Sequence, residues 1–283
     1  ATARCDSDTA RTVRGRPILS AAIAVFFLLQ ACLPTTEATR PSEDSPTASP
    51  DRFFNRLFTR NGPGWTGGDG TASVALPDGR SVWCFGDSFL GRVRPDRSRA
   101  KETPLIRNCL VVQKDNRLWT RHGGTLASPR AWFEPESADQ WYWPADATVD
   151  GGKLWVLLWR FESSGTGMWD WRWIGTDLAV LSLSDLRILS ITPLPNQNRV
   201  MYGAAIVETP GYLYVYGVED LPDRRYVHLA RTSRGGLLQP WQYFDGRRWS
   251  SEPQRSARIH QGTANQFSVL ALAGQYVLVT MDD

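Results

Sequence analysis

Four hairpins of one design constrain this chain more than any other feature. TASVAL-PDGR-SVWCFGD (71–87), DATV-DGGK-LWVLLW (146–159), AAIVE-TPG-YLYVYG (204–217) and FSVLA-LAG-QYVLVTM (267–281) each join two runs of β-branched, aliphatic and aromatic residues through a short glycine-containing turn. After each of the first three come two further apolar runs: PLIRNCLVVQ and RLWTRH, DLAVLSL and LRILSI, YVHLARTS and WQYFDGRRW. From Trp65 onward no long stretch holds a helical period. Units of four strands repeated along a chain bury their faces only against one another, so the expected fold class is all-β and the expected architecture a β-propeller. The fourth unit has two strands by Asp283, and the propeller reads as cut within its fourth blade.

The first fifty residues read differently. A basic stretch ends at Arg16, an apolar run spans Ile18 to Leu29, and Leu29-Gln30-Ala31-Cys32 resembles a bacterial lipobox. A largely apolar run of twelve residues is too short to cross a bilayer as a helix, so the expected layout is a signal peptide over 1–31 and Cys32 as a lipidated N-terminus. Residues 32–50, rich in Pro, Ser, Thr and acids, form a tether to the propeller domain of 51–283. The expected location is outside the cell, anchored to the membrane by lipid and facing the wall. The formal charge is +3, of which Arg4, Arg11, Arg14 and Arg16 less Asp6 and Asp8 supply +2, so nothing after Cys32 argues for nucleic acid.

Two acids flank the first hairpin. Asp69 in Gly68-Asp69-Gly70 and Asp87 in Gly86-Asp87-Ser88 each lie nine residues from Asp78, the centre of the turn. A regular antiparallel register makes them cross-strand partners on one face, with Cβ atoms about 5 Å apart. Like charges so placed repel, so one holds its proton to higher pH and an acid is separated from a base or nucleophile. A turn-capping Asp is the competing explanation.

Residues 65–91 (WTGGDGTASVALPDGRSVWCFGDSFLG), 107–113 (RNCLVVQ), 142–158 (YWPADATVDGGKLWVLL), HLARTS and WQYFDGRRW resemble the propeller family called domain of unknown function 4185, which includes glycoside hydrolase family 183. The resemblance implies an endo-D-arabinanase of mycobacterial-type cell walls, with Asp69 and Asp87 matching the family's two essential acids. It implies D-arabinan as the partner and no cofactor, with a channel ion such as calcium left open. Five blades, the usual count for glycosidase propellers, is the number expected of the complete protein. A non-catalytic envelope propeller that binds wall polysaccharide or a protein is the alternative. Phe85-Gly86-Asp87-Ser88 also looks like the first block of GDS-type esterases, but their Asp-x-x-His and Gly-x-Asn-Asp strings are missing from the sequence.

Further candidates surround this pair. Trp65 and Trp143 are candidate sugar-stacking platforms, among thirteen Trp in all. Asp146 begins the second inner strand as Asp69 begins the first, and Glu219 and Asp220 follow the third hairpin as Asp87 follows the first. Trp169, Trp171 and Trp173 share one strand face, read as a core stripe ahead of a sugar platform. His122, His228 and His260 show no metal-ligand spacing. Cys84 and Cys109, on neighbouring strands in an oxidising setting, are expected to form a disulfide.

Overall fold

Each inner hairpin of the sequence is the inner half of a sheet in the computed structural model, which describes residues 49–195, 198–272 and 274–281. The leader, Cys32 and the tether up to residue 48 lie outside the described residues. The first blade runs Ala72–Ala75, Ser81–Phe85, Cys109–Lys114, Arg117–Arg121, each strand pairing antiparallel with the next. The second runs Gln140–Asp150, Lys153–Ser163, Trp171–Ser182, Ile188–Pro193. In the third, Met201–Glu208, Tyr212–Leu221, Arg224–Ser233 and Trp241–Phe244 are followed by Trp249–Ser250, while His260–Gln261 pairs with the free half of Arg224–Ser233. The fourth sheet holds Phe267–Leu272 and Gln275–Thr280. The protein is all-β and propeller-like. The four inner strands line one channel of about 670 Å³.

Why Leu154-Trp155-Val156-Leu157-Leu158-Trp159 is apolar without interruption follows from this layering. A blade between two others buries both faces, so alternation disappears. Leu154, Val156 and Leu158 pack against Val82, Cys84 and Leu110 of the first blade. Trp155 and Leu157 turn the other way, onto Leu213, Val215 and Ala230 of the third. Polar links accompany this packing. Asp146, Thr148 and Asp150 project alternately from the second inner strand. Asp146 accepts the Ile206 N–H at 2.6 Å, Thr148 donates to Glu208, and Asp150 accepts the N–H groups of Gly235 (2.6 Å) and Gly236 (2.9 Å) and pairs with Arg234 at 2.9 Å.

One helix, Arg52–Phe58, was not expected from the sequence. Its aromatic side chains lie over the first blade, with Phe58 4.8 Å from the Trp83 ring and 5.7 Å from that of Trp65. The apolar spacing of Phe53, Phe54, Leu57 and Phe58 carries a helical signal, but over only seven residues. Among the described residues no helix is long and apolar enough to cross a membrane.

The expected disulfide is absent. Cys84 pairs with Leu110 and Cys109 with Phe85, so the two thiols are one residue out of step and lie on opposite faces of the sheet. Cys84 is buried in the core shared with the second blade, and Cys109 in the cluster around Trp65 and Phe85. A bridge requires Cβ vectors that converge. Burial pushes the Cys109 thiol up to about 12 and raises that of Cys84 further, so both are inert in the folded state. We expect both to be alkylated after denaturation without reductant and to resist alkylation in the native protein. Recovery of a linked Cys84–Cys109 peptide by mass spectrometry would contradict this register.

Candidate active site

The two acids meet where the first hairpin passes from one small sheet to another. Ala72–Ala75 pairs with Ser81–Phe85, and beyond this ladder Trp65–Gly68 pairs with Ser88–Leu90, both in a register centred on Asp78. The turn is closed by Leu76 N–H to Arg80 O (2.7 Å), with Gly79 at φ +82° and Asp78 bonded to Arg80. Across the gap between the sheets, Asp69 N–H donates to Asp87 O (3.2 Å) and Gly86 N–H to Asp69 O (2.8 Å), so Gly86 and Asp87 together lie opposite Asp69, a bulge in place of the regular pairing, and the Asp87 charge still reaches the Asp69 carboxyl.

The motif glycines have a steric reason. A Cβ on Gly86 would sit 2.8 Å from Asp69 Oδ1 and 3.4 Å from Trp143 Cδ1. At Gly68 it would meet Asp87 O at 2.8 Å and Ser88 Oγ at 2.9 Å. Gly70, at φ +56°, lies against the Gln266 side chain. Only a bare backbone lets the two carboxylates and Trp143 converge.

The environments of the acids differ. Burial, and after it the negative charge of Asp87, raises the Asp69 carboxyl above its ordinary value against the pull of two backbone N–H groups. Asp87 is oriented by Arg107 Nη1 at 3.0 Å and Trp143 Nε1 at 2.9 Å. Arg107 in turn stacks on the Trp141 ring, 4.3 Å from its centroid. Ser88 is buried, donating to Gly86 O at 2.8 Å, which removes it as the nucleophile of an esterase.

Beyond Trp143 opens a cleft of about 900 Å³, walled by Trp143, Trp159, Phe161, Trp171 and Trp173. Trp143 and Trp171 meet edge to face at 5.2 Å. Trp171 and Trp173 therefore belong both to the packed aromatic cluster and to the cleft wall, while Trp169 stands exposed outside it.

Three other candidates sit elsewhere. Trp65 is 6 % exposed, wedged between Phe58 and Phe85, and presents no platform for a sugar. Asp146 lines the central channel rather than the cleft; both its oxygens accept backbone N–H groups, from Ala147 and Ile206, and burial lifts its carboxyl to about 7. It is a strut between blades. Glu219 is clamped by Arg258 at 2.6 and 3.0 Å and by His228 at 3.4 Å, and points away from the cleft. Its neighbour Asp220 does line the cleft, held by Arg225 and Asn265 at 2.9 Å each. Sequence reasoning also passed over Arg107 and Gln266, which carry no motif of their own. Among the described residues no group of three His, Cys, Asp or Glu side chains is placed to hold a metal ion.

Fold and site together define a propeller-like protein with a pair of neighbouring acids, one of which is hydrogen-bonded to Trp143 in the wall of an aromatic cleft. Residues 51–283 match the model of the family described as Domain of unknown function (DUF5005), and the chain belongs to that family. No curated protein matches it. Among solved structures it is similar to a "putative hydrolase" from Bacteroides ovatus ATCC 8483, with a TM-score of 0.68 and 24 % identity over 81 % of this chain. The match spans 66 % of that protein's length, and at this identity it shows the shared fold. The family shown is not the domain 4185 family that the motifs resemble, so an arabinanase activity is a matter for proposal.

Proposed function

We propose that this protein is a glycoside hydrolase acting on D-arabinan of a mycobacterial-type cell wall, exported and held at the membrane through Cys32. One observation carries the reading: the indole of Trp143 lines the aromatic cleft and donates to Asp87 with its nitrogen, which ties one acid of the pair to a surface suited to sugar rings. Asp69, whose proton is held to higher pH, is the general acid and delivers that proton to the departing glycosidic oxygen. Asp87, fixed by Arg107 and Trp143, faces the anomeric carbon, either bonding to it directly or taking a proton from the attacking water. The hydrolase-like fold of the Bacteroides ovatus protein agrees with this reading, and D-arabinan enters only through the motif resemblance.

The test is incubation of the protein with D-arabinan, L-arabinan and a hexose polymer while the release of reducing ends is followed. Release from D-arabinan alone is expected. Tight binding of D-arabinan without release would favour the non-catalytic wall-binding protein. Gly86→Ala keeps an ordinary backbone position but crowds Asp69, so it should lower cleavage by as much as about 10²-fold, the cost of an ångström-scale misplacement. Its stability should stay within about 1 kcal/mol of the parent. An unchanged rate would separate Asp69 from the chemistry.

A further inference from the structure

The charges that line the aromatic cleft are not all neutralised. Arg172 is paired with Glu162 through contacts of 2.5 and 2.7 Å, and Asp220 with Arg225 at 2.9 Å and Asn265 at 2.9 Å. Arg199, the remaining charged residue of the lining, has no ionic or hydrogen-bonding partner among the described residues. It is exposed, on the connection between the outer strand of the second blade and Met201 of the third, where it joins the lip of the cleft. Its backbone is also unusual, at φ +57°, in the left-handed region that favours Gly or Asn over a long side chain.

An unpaired guanidinium in the same lining as these indoles adds a planar fork of donors to a surface suited to sugar rings. A neutral glycan leaves it unanswered.

We infer that the cleft has a subsite for an anionic, carboxylate-bearing substituent on the polysaccharide, with Arg199 as the residue that recognises it. This rests on the reading of the cleft as a polysaccharide site, and it narrows the substrate from neutral polymer to polymer carrying acidic groups. Arg199 is a specificity residue and takes no part in bond cleavage.

The experiment uses the Asp87→Asn protein, to prevent turnover, and the quenching of tryptophan fluorescence by a matched pair of ligands: an arabino-oligosaccharide and the same oligosaccharide bearing one succinyl group. At low salt the succinylated ligand should bind about tenfold more tightly. The ratio of the two affinities should approach one in Arg199→Asn, which suits the left-handed backbone, and should recover in Arg199→Lys. Salt should erode the preference, as it does for any solvent-accessible pair. Equal binding of the two ligands by the parent protein, an unchanged ratio in Arg199→Asn, or failure of both ligands to bind would each overturn the inference. The hydrolase reading is judged separately, on cleavage by the protein with Asp87 intact. Cleavage without charge preference sinks the subsite alone, and charge preference without cleavage sinks the hydrolase alone.

Discussion

Replacing Asp87 with Asn should lower turnover on D-arabinan by about 10² to 10⁴-fold, the range that general acid–base or nucleophilic roles command. Replacing Asp69 with Asn should cost a similar factor, and the two losses should not add, since the residues act as a unit. The pH profile separates their roles. A general acid must be protonated, so the rate falls as pH rises through the Asp69 value. Burial and the Asp87 charge both raise that value. Asp87→Asn removes the second cause, so the alkaline limb of its residual activity should move to lower pH. A limb that moves to higher pH, or stays in place, would assign the acid to another group. Neither variant should unfold, because the backbone bonds between Asp69 and residues 86 and 87 do not involve the carboxylates.

Asp150→Ala should destabilise the protein by about 2–4 kcal/mol. The carboxylate is 6 % exposed, and three donors converge on it: Gly235 N–H, Gly236 N–H and Arg234. Its removal leaves the buried Gly236 N–H without a partner, worth about 1–3 kcal/mol, returns the N–H of the exposed Gly235 to water, and takes from Arg234 one of its two ionic partners, Glu208 being the other. Equilibrium unfolding in urea checks this, with the midpoint expected to fall at constant slope. A loss below 1 kcal/mol would show that water replaces the carboxylate and that the third blade does not depend on it. Asp78→Ala, by contrast, removes an exposed ion pair and should leave the unfolding midpoint close to that of the parent.

What could be read in the sequence followed from local register. The Pro-Asp-Gly turn fixes which residues oppose each other for nine positions on either side, so Asp69 and Asp87 were found together without any knowledge of the rest of the chain. The Cys84–Cys109 pairing fails on the same principle. Its strands are joined by a long connection, no turn sets their register, and a slip of one residue places the thiols on opposite faces. Glu219 and Asp220 illustrate the point within a single strand: the cleft-lining residue is the one whose side chain alternates toward the cleft, and a loop reading does not distinguish them. Trp65 was misread for a different reason, because the aromatic cover that buries it comes from the helix Arg52–Phe58, a contact between separate elements. The cleft itself arises from Trp143, Phe161, Trp171 and Trp173 on three strands of one blade, and only the assembled sheet brings them to one wall.

The struts between neighbouring blades carry a consequence for how such a protein can be rearranged. The second blade offers Asp146, Thr148 and Asp150 to partners at Ile206, Glu208, Arg234 and the two glycines of the third. The first blade reaches the second by another device, Asn108, whose amide donates to Phe133 O and Tyr142 O and accepts from Phe133 N–H. Blades that look alike in outline are therefore keyed differently at each seam. A chimaera made by exchanging one blade would have to bring the matching half of both seams, whereas a cut placed between seams, in an exposed connection, would leave every lock closed.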